Sequence, residues 1–336
     1  MRTLTLLTAA AACLALAACD DKDTNAPPAS PDGGGVSVPD GSSTQSPPGV
    51  IVEGPQQGLY VTDYAGALFH LSLEDGTVHG KYGTPGTGRD QYSRPTGITA
   101  TKKHLFVADN GNRRLVRLTV ASGAGWKELA LGTEVEPHGV AALLSADEKE
   151  ETVVFSDYPG MRFMIAPPDL EGTPAVGATL QFNTCGVALR EGASAGSTGC
   201  TSGPALNVVV NPLNGERVHP ANAGTGELNR PDGLAYLPDG TLVIADTGND
   251  RVLCARGPSS GDFGKRGSTE DLEFLGIAAI TTDARGRIFV ADADRKRIVR
   301  VDDCKGANPR VIYDGSDISQ MTGLAAVGPY EGVQGQ

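Results

Sequence analysis

The chain has 336 residues and a formal net charge of −12, with 45 glycines, 22 prolines and only 5 % aromatic residues. This acidity argues against nucleic acid as a partner, because Lys and Arg side chains supply most of the affinity for phosphates. Short apolar runs bounded by Gly, Asn and Asp are typical of an all-β chain.

The first segment, residues 1–18, has the pattern of a secretory signal peptide. Met1-Arg2 gives a positive start, and the apolar run Leu4–Ala18 follows with 15 residues. A bilayer-spanning helix needs about 20 residues, so this run is too short to cross. A short positive start, an apolar run and small residues at its end together predict export and removal.

The end of this segment, Leu16-Ala17-Ala18-Cys19, resembles the lipobox of bacterial lipoproteins. The resemblance implies cleavage before Cys19 and acylation of that cysteine. It therefore implies a lipid-anchored protein of the bacterial cell envelope that faces the periplasm or the exterior. The alternative is an ordinary signal peptide followed by an incidental cysteine.

Residues 19–48 contain the acylated cysteine and a tether. Asp20–Pro48 is rich in Pro, Gly, Ser, Asp and Thr and has almost no large apolar residue. Such a segment cannot bury enough surface to offset its ordering entropy, so we expect it to be disordered. The folded body then spans residues 49–328, and residues 329–336 form a C-terminal tail.

Cysteine pairing in the body is the next prediction. Cys13 leaves with the signal, and four cysteines remain beyond Cys19, namely Cys185, Cys200, Cys254 and Cys304. An even number in an oxidising compartment predicts disulfides, with three possible pairings. We favour Cys185–Cys200, which would close a Gly/Ser-rich insertion, and Cys254–Cys304, which would join neighbouring repeats.

A glycine followed by an aliphatic or small residue recurs through the body. These phase glycines, at spacings of 42, 47, 47, 43 and 47 residues, are Gly97, Gly139, Gly186, Gly233, Gly276 and Gly323. Apolar runs ending in Asp accompany them, as in Leu105–Asp109 and Leu242–Asp246. A period of 40–50 residues suits a four-stranded blade, so the pattern predicts a six-bladed β-propeller. We expect each phase glycine to lie where the chain turns tightly into an inner strand.

Closure of the ring has two possible solutions. Gly49–Val52 could supply the inner strand of blade one, or Gly323–Ala326 could return to do so. The second solution joins the two ends of the body and removes an exposed sheet edge, so we favour it.

The best-preserved units resemble NHL repeats. Arg94-Pro95-Thr96-Gly97-Ile98 with Leu105–Leu115 carries the likeness, and Arg230–Val252 matches nearly as well. The resemblance implies an NHL-type propeller over residues 49–328. Blade four is degenerate, with Val208–Val210 interpreted as its strand and Pro212 in the place of the strand-end Asp.

The strand-end aspartates look like a catalytic ring but are better interpreted as turn caps, because one role is repeated in every blade. They are Asp63, Asp109, Asp157, Asp246 and Asp292. We expect Arg113, Arg251 and Arg297, in the following turns, to pair with those turns or with adjacent blades.

Residues just before the phase glycines should cluster at one mouth of the central channel. They are Thr96, His138, Cys185, Asp232, Leu275 and Thr322. Pro231-Asp232-Gly233-Leu234 is similar to the segment that holds a metal-binding Asp in gluconolactonase-like propellers, and Glu53-Gly54-Pro55 echoes the same family. Zinc and calcium need more ligands than His138 and Asp232 supply. We therefore expect no metal, no cofactor and no catalytic residue, and retain Thr96, His138, Asp232 and Thr322 as ligand-contact candidates.

The function that this pattern favours is a binding scaffold for a protein, peptide or glycan, anchored in the membrane through Cys19 and expected to be monomeric. The alternative is a metal-dependent lactone hydrolase or lyase with its site at the channel mouth. RNA binding, known for some animal NHL proteins, is disfavoured by the acidity and the export signal.

Overall fold

The computed structural model describes residues 55–119, 121–199, 207–219, 228–255, 257–264 and 268–328. Over these ranges the chain is all-β, and six four-stranded antiparallel sheets form the six blades of a propeller. The helices in these ranges are three-residue 3₁₀ turns at Asn110–Asn112, Thr247–Asn249 and Glu270–Leu272. The predicted signal peptide, Cys19, the tether, Gly49–Val52 and the C-terminal tail lie outside the described residues.

The strands of the first three blades follow one another in chain order. Blade one contains β1 (Gly58–Asp63), β2 (Ala67–Leu71) and β3 (Val78–Tyr82). A short parallel pair follows, formed by β4 (Thr84–Pro85) and β5 (Gln91–Tyr92). Blade two contains β6 (Pro95–Ala100), β7 (Leu105–Asp109), β8 (Arg114–Leu118) and β9 (Lys127–Ala130). Blade three contains β10 (Pro137–Leu144), β11 (Glu151–Asp157), β12 (Arg162–Ala166) and β13 (Ala175–Thr179).

The last three blades repeat the same arrangement. Blade four contains β14 (Thr184–Arg190), β15 (Ala193–Thr198), β16 (Val209–Val210) and β17 (Arg217–His219). Blade five contains β18 (Pro231–Tyr236), β19 (Leu242–Asp246), β20 (Arg251–Ala255) and β21 (Gly261–Phe263). Blade six contains β22 (Ile277–Thr282), β23 (Ile288–Asp292), β24 (Arg297–Val301) and β25 (Arg310–Asp314), and the chain returns in β26 (Met321–Val327). None of the helices in the described part of the chain has the length and apolar content that a membrane crossing requires.

The second strand of most blades is buried along its whole length. All five residues of β7, β19 and β23 are buried. Their side chains alternate between the two faces of a blade, and both faces are covered by neighbouring blades. This explains why the sequence reads as continuous apolar runs rather than as alternating polar and apolar residues.

The C-terminal strand closes the ring, as the favoured solution predicted. β26 pairs antiparallel with β1, with Leu324 opposite Val61 and Ala325 opposite Tyr60. Charged groups bridge blades one and six as well, because Glu74 accepts hydrogen bonds from Arg287 at 2.8 Å and from Arg300 at 3.0 Å. Closure therefore joins the two ends of the body by main-chain pairing and by ion pairs.

One of the two favoured disulfides is present. Cys254 in β20 and Cys304 after β24 are bonded, with 5.9 Å between their Cα atoms, and they join blades five and six. Cys185 is also disulfide-bonded, whereas its favoured partner Cys200 lies outside the described residues.

Blade four corrects the sequence interpretation. The second strand is Ala193–Thr198, which was taken as part of an insertion, and Val209–Val210 is the third strand. Thr198, opposite Thr184, occupies the strand-end position that was assigned to Pro212. The strand lacks large apolar residues because its neighbour fills the space: a Cβ on Gly196 would lie 2.4 Å from the ring of Phe163.

The phase glycines mark the closest approach of neighbouring inner strands. A Cβ on Gly97 would lie 2.5 Å from the carbonyl oxygen of His138, and one on Gly186 would lie 2.0 Å from that of Asp232. The phase glycines do not have the positive φ of a tight turn, so the predicted turn is wrong and steric crowding explains them.

Blade six is out of phase with the sequence prediction. Ala279, opposite Ala291, takes the position that Gly97, opposite Ala108, takes in blade two. Gly276 precedes β22 instead, and its N–H bonds Asp292 at 3.2 Å. The residue before the phase position is therefore Ala278, not Leu275, whose exposed fraction is 54 %.

We expect Gly139→Ala to lower the free energy of unfolding by about 1–3 kcal/mol, the usual cost of overpacking. Its Cβ would lie 2.2 Å from the carbonyl oxygen of Cys185, and a backbone atom cannot rotate away. Urea unfolding followed by tryptophan fluorescence measures the change. The matched control is Ala279→Gly at the corresponding position of blade six, for which we expect about 1 kcal/mol or less. Equal unfolding midpoints for Gly139→Ala and the parent would contradict this account.

Candidate functional site

A channel runs along the propeller axis and forms a cavity of about 600 Å³ lined by all six inner strands. We call its two ends the upper and lower mouths. The upper mouth is the end at which the inner strands begin, with Thr96, His138, Asp232 and Thr322, as the sequence predicted. The lower mouth is the end at which these strands finish, with Arg190 and Tyr236.

Two of the four candidates are engaged in holding the blades together. The Thr96 hydroxyl donates to the carbonyl oxygens of Pro137 at 3.1 Å and His138 at 3.0 Å. The Thr322 hydroxyl donates to the carbonyl oxygen of Pro95 at 2.7 Å. Each bond joins one blade to the next, so these threonines contribute to ring assembly.

Two other positions of the predicted mouth ring do not present a polar group. Cys185 is fully buried and disulfide-bonded. Ala278, which replaces the predicted Leu275, has a methyl side chain. His138 and Asp232 are therefore the ionisable members of this ring.

Asp232 is partly exposed in the channel wall. Burial raises the pKa of its carboxyl group, and the positive charges of His138 and Arg230 offset only part of that effect. His138 belongs to blade three and Asp232 to blade five, so their charges interact across the channel. Within the described ranges, no hydrogen-bond donor contacts the Asp232 carboxylate, whereas Ser197 donates to its main-chain oxygen at 2.7 Å.

The ring of His138 stacks on Tyr158, with 5.7 Å between ring centroids and 30° between planes. Tyr158 follows β11 directly, in the turn of the same blade. The upper mouth thus contains one carboxylate, on blade five, and one imidazole, on blade three, whose ring stacks on Tyr158. The sequence interpretation missed Tyr158 because it follows a strand-end Asp and not a phase glycine.

The strand-end aspartates are turn caps, as predicted, and each is buried. In blade two, Asp109 accepts hydrogen bonds from the N–H of Ser93 at 2.8 Å and from Arg114 Nε at 2.8 Å. Blade five repeats the pair, with Asn229 N–H at 2.7 Å and Arg251 Nε at 2.6 Å from Asp246.

The arginine prediction is correct for all three residues, because two pair with the strand-end aspartates of their own blades and Arg113 pairs with the adjacent blade. Arg251 and Arg297 bond the strand-end aspartates of their own blades. In blade two the partner is Arg114, while Arg113 contacts Glu136 at 3.2 Å near the surface. Arg113 has a φ of 50°, which turns its side chain away from the strand that Arg114 begins.

Serine hydroxyls in the second strands were also missed. Ser156 accepts the N–H of Gly139 at 2.8 Å and donates to the carbonyl oxygen of Cys185 in the next blade. Ser197 accepts the N–H of Gly186 at 2.8 Å and donates onward to Asp232. The sequence feature that could have indicated Ser156 is a serine directly before a strand-end Asp, as in Phe155-Ser156-Asp157.

A metal site requires several ligand side chains close together. No group of three or more His, Cys, Asp or Glu side chains gathers closely enough to hold a metal ion within the ranges that the structure describes. Glu53, which echoes the gluconolactonase-like pattern, lies outside those ranges.

Comparison with known proteins supports the fold. Residues 228–255, which include all of β18 and β19, match the family model of the NHL repeat. No curated protein matches the chain. A chain in the crystal structure of a nidogen/laminin complex aligns at a TM-score of 0.60 with 16 % identity, covering 81 % of this chain and 99 % of that one.

Two further solved structures that align with this chain have other printed functions. A streptogramin B lyase aligns at a TM-score of 0.53 with 14 % identity, covering 82 % of this chain and 88 % of the lyase. A calcium-binding regucalcin from Agrobacterium tumefaciens aligns at 0.49 with 18 % identity, covering 70 % and 78 %. The streptogramin B lyase alignment, at 14 % identity, shows a shared fold and leaves activity open.

We expect Asp232→Asn to stabilise the protein at pH 7, because burial raises the pKa of Asp232. A raised pKa in the folded state means that stability is complete below the unfolded-state pKa of about 4 and falls as pH rises through the folded-state value. Removing the charge removes that loss. Thermal melting at pH 7 and pH 4 measures it: we expect Asp232→Asn to melt above the parent at pH 7 and the difference to shrink at pH 4. A lower melting temperature at pH 7 would contradict this expectation.

Proposed function

We propose that this protein is a membrane-anchored, extracytoplasmic β-propeller that acts as a binding scaffold for a protein, peptide or glycan. One observation carries the proposal: the recurring polar groups, which are the strand-end aspartates of five blades and two threonines of the upper mouth, are engaged inside the fold. The strand-end aspartates cap turns, and Thr96 and Thr322 bridge blades. What the upper mouth offers is a concave surface with few polar groups, which suits recognition.

The topology places this surface away from the chain's entry into the propeller. β1 begins at Gly58 opposite Val327, and it ends at Asp63 opposite Met321, where the inner strands begin. The chain therefore enters the propeller at the face of the lower mouth. The upper mouth lies at the opposite end of the inner strands from that entry.

The nidogen/laminin neighbour supports the proposal by analogy only. Its printed description is a complex of two proteins, and its matched chain has the same architecture over 99 % of its length. Propellers combine a rigid ring of blades with variable loops at either face, so the fold suits docking without dictating the partner.

We predict that Cys19→Ser releases the protein from membranes into the soluble fraction. Acyl chains contribute about 0.8 kcal/mol per buried methylene, and their loss would leave no stable attachment. Cell fractionation with immunodetection measures the shift. Cys13→Ser is the matched control, because Cys13 lies inside the predicted signal peptide, and we expect it to remain membrane-bound. Unchanged membrane partition of Cys19→Ser would contradict the anchoring proposal.

The second candidate function is a metal-dependent lactone hydrolase or lyase at the upper mouth. It is favoured by one feature, the interaction of His138 with an Asp232 whose pKa is raised, since shifted carboxyl groups are common at catalytic sites. For this candidate both residues would act as metal ligands or as acid and base.

Metal content and turnover separate the two functions. Under the scaffold proposal we expect less than one equivalent of tightly bound metal in the purified protein. We also expect lactone and ester turnover at background before and after chelation, in the parent and in Asp232→Ala. Loss of a ligand lowers metal affinity by about tenfold or more. A one-to-one metal with chelator-sensitive turnover, both lost in Asp232→Ala and in His138→Ala, would favour the enzyme and contradict the scaffold.

A further inference from the structure

The Asp232 carboxylate differs from the other repeat-associated carboxylates in lacking partners. Strand-end Asp246, in the same blade, accepts bonds from a main-chain N–H, from Asn249 and from Arg251. Among the residues that the structure describes, none donates a hydrogen bond to the Asp232 side chain, and none forms an ion pair with it within 4.0 Å. A half-buried carboxylate without donors loses part of its hydration, which a ligand that completes its shell would replace.

The fold itself does not require a charge at this position. The corresponding residues of other blades are Thr96 in blade two, Ala278 in blade six and Thr322 in blade one, all uncharged. The main chain of Asp232 already makes the contact between blades, through its carbonyl oxygen and Ser197. The side chain is therefore surplus to ring assembly, and its charge is available to a ligand.

The carboxylate itself, and not its charged neighbours, favours a cation. The positive groups that act on Asp232 are His138 of blade three and Arg230 two residues before it, and neither lies within ion-pair distance in the described ranges. A carboxylate without an ion-pair partner suits ammonium and guanidinium groups, which gain from charge-assisted hydrogen bonds.

We propose that the upper mouth binds the protonated amine or guanidinium of a lysine or arginine side chain that a partner protein inserts into the channel. Asp232 pairs with that positive charge through charge-assisted hydrogen bonds. This inference rests on the proposed scaffold function and adds the chemistry of the partner. A basic side chain can enter because the channel holds a cavity of about 600 Å³, and its upper mouth lies at the opposite end of the inner strands from the chain's entry.

The test titrates the full mature protein in detergent with defined probes, in low-salt buffer at pH 7.5, by protein-observed NMR. The probes are a capped Gly-Gly-Lys-Gly-Gly pentapeptide, its norleucine counterpart and n-butylamine. We expect the lysine peptide to bind, the norleucine peptide to bind at least about tenfold more weakly, and Asp232→Asn to lose about tenfold or more for the lysine peptide.

The matched control is Asp250→Asn. It makes the same change of charge in the same blade, in the turn after β19, at a residue with φ of 52° that Asn tolerates. We expect it to keep the affinity of the parent. Melting temperatures of both variants establish that they are folded, so a loss confined to Asp232→Asn reports on the carboxylate.

Equal affinity for the lysine and norleucine peptides would overturn the inference. Unchanged affinity in Asp232→Asn would do so as well, and so would displacement of the lysine peptide by a stoichiometric divalent metal. n-Butylamine binding as tightly as the peptide would assign the site to a free amine and overturn the partner-protein source. If neutral peptides or glycans bind equally to the parent and Asp232→Asn, the scaffold function stands and the cation inference fails.

Discussion

The crowding of six inner strands around one axis is the constraint on which the rest of the structure depends. Neighbouring strands approach so closely that a Cβ on Gly139 would lie 2.2 Å from the next blade's backbone, and one on Gly323 would lie 2.9 Å from that of Ile98. Small residues at this level are the condition for closing the ring. Hydroxyl groups then bridge the gaps, as Ser156 and Ser197 do with the following blades. Close packing and hydrogen bonding between neighbouring blades therefore occur at the same level along the channel axis.

This arrangement also determines what the upper mouth can present. Because every inner strand is fixed at the phase position, the preceding residue of each blade lies on one ring. Thr96 and Thr322 use their hydroxyls to hold blades, Cys185 is bonded, and Ala278 has no polar atom. The two ionisable side chains, His138 on blade three and Asp232 on blade five, remain for contact with a ligand. Because the other positions of this ring serve the fold, the remaining site consists of two side chains and offers few kinds of chemistry.

Much of this fold could be predicted from the repeat alone, and the errors have physical causes. The apolar runs ending in Asp predicted the second strands, and the need to cover an edge predicted closure by the C-terminal strand. Blade four was misread because Ala193–Thr198 has small residues that accommodate the Phe163 ring. A strand of small residues lacks the apolar run by which the other second strands were identified. Blade six was misread because Gly276 continues the series of glycines, whereas the true phase residue, Ala279, lies three positions later and is not a glycine.

The sequence located residues of the channel lining but did not indicate which contacts each of them makes. Position before a phase glycine identified Thr96, His138, Asp232 and Thr322, but hydroxyls that bridge blades and a carboxylate without donors look alike in sequence. Nothing in the spacing indicated Tyr158, since aromatic stacking on His138 depends on where the turn after β11 directs its side chain. Tertiary contacts decide which polar residue serves the fold and which is free.

Two aspartates of blade five have opposite effects on the stability of the free protein. Asp246 is enclosed by donors that the fold supplies, so its charge is satisfied before any ligand arrives. Asp232 lies 14 residues earlier, where burial raises its pKa and no described donor compensates. The first arrangement stabilises the blade, and the second weakens the free protein. A partner that brings its own positive charge would reverse that loss on binding, which makes the least satisfied group of the channel the strongest determinant of what it recognises.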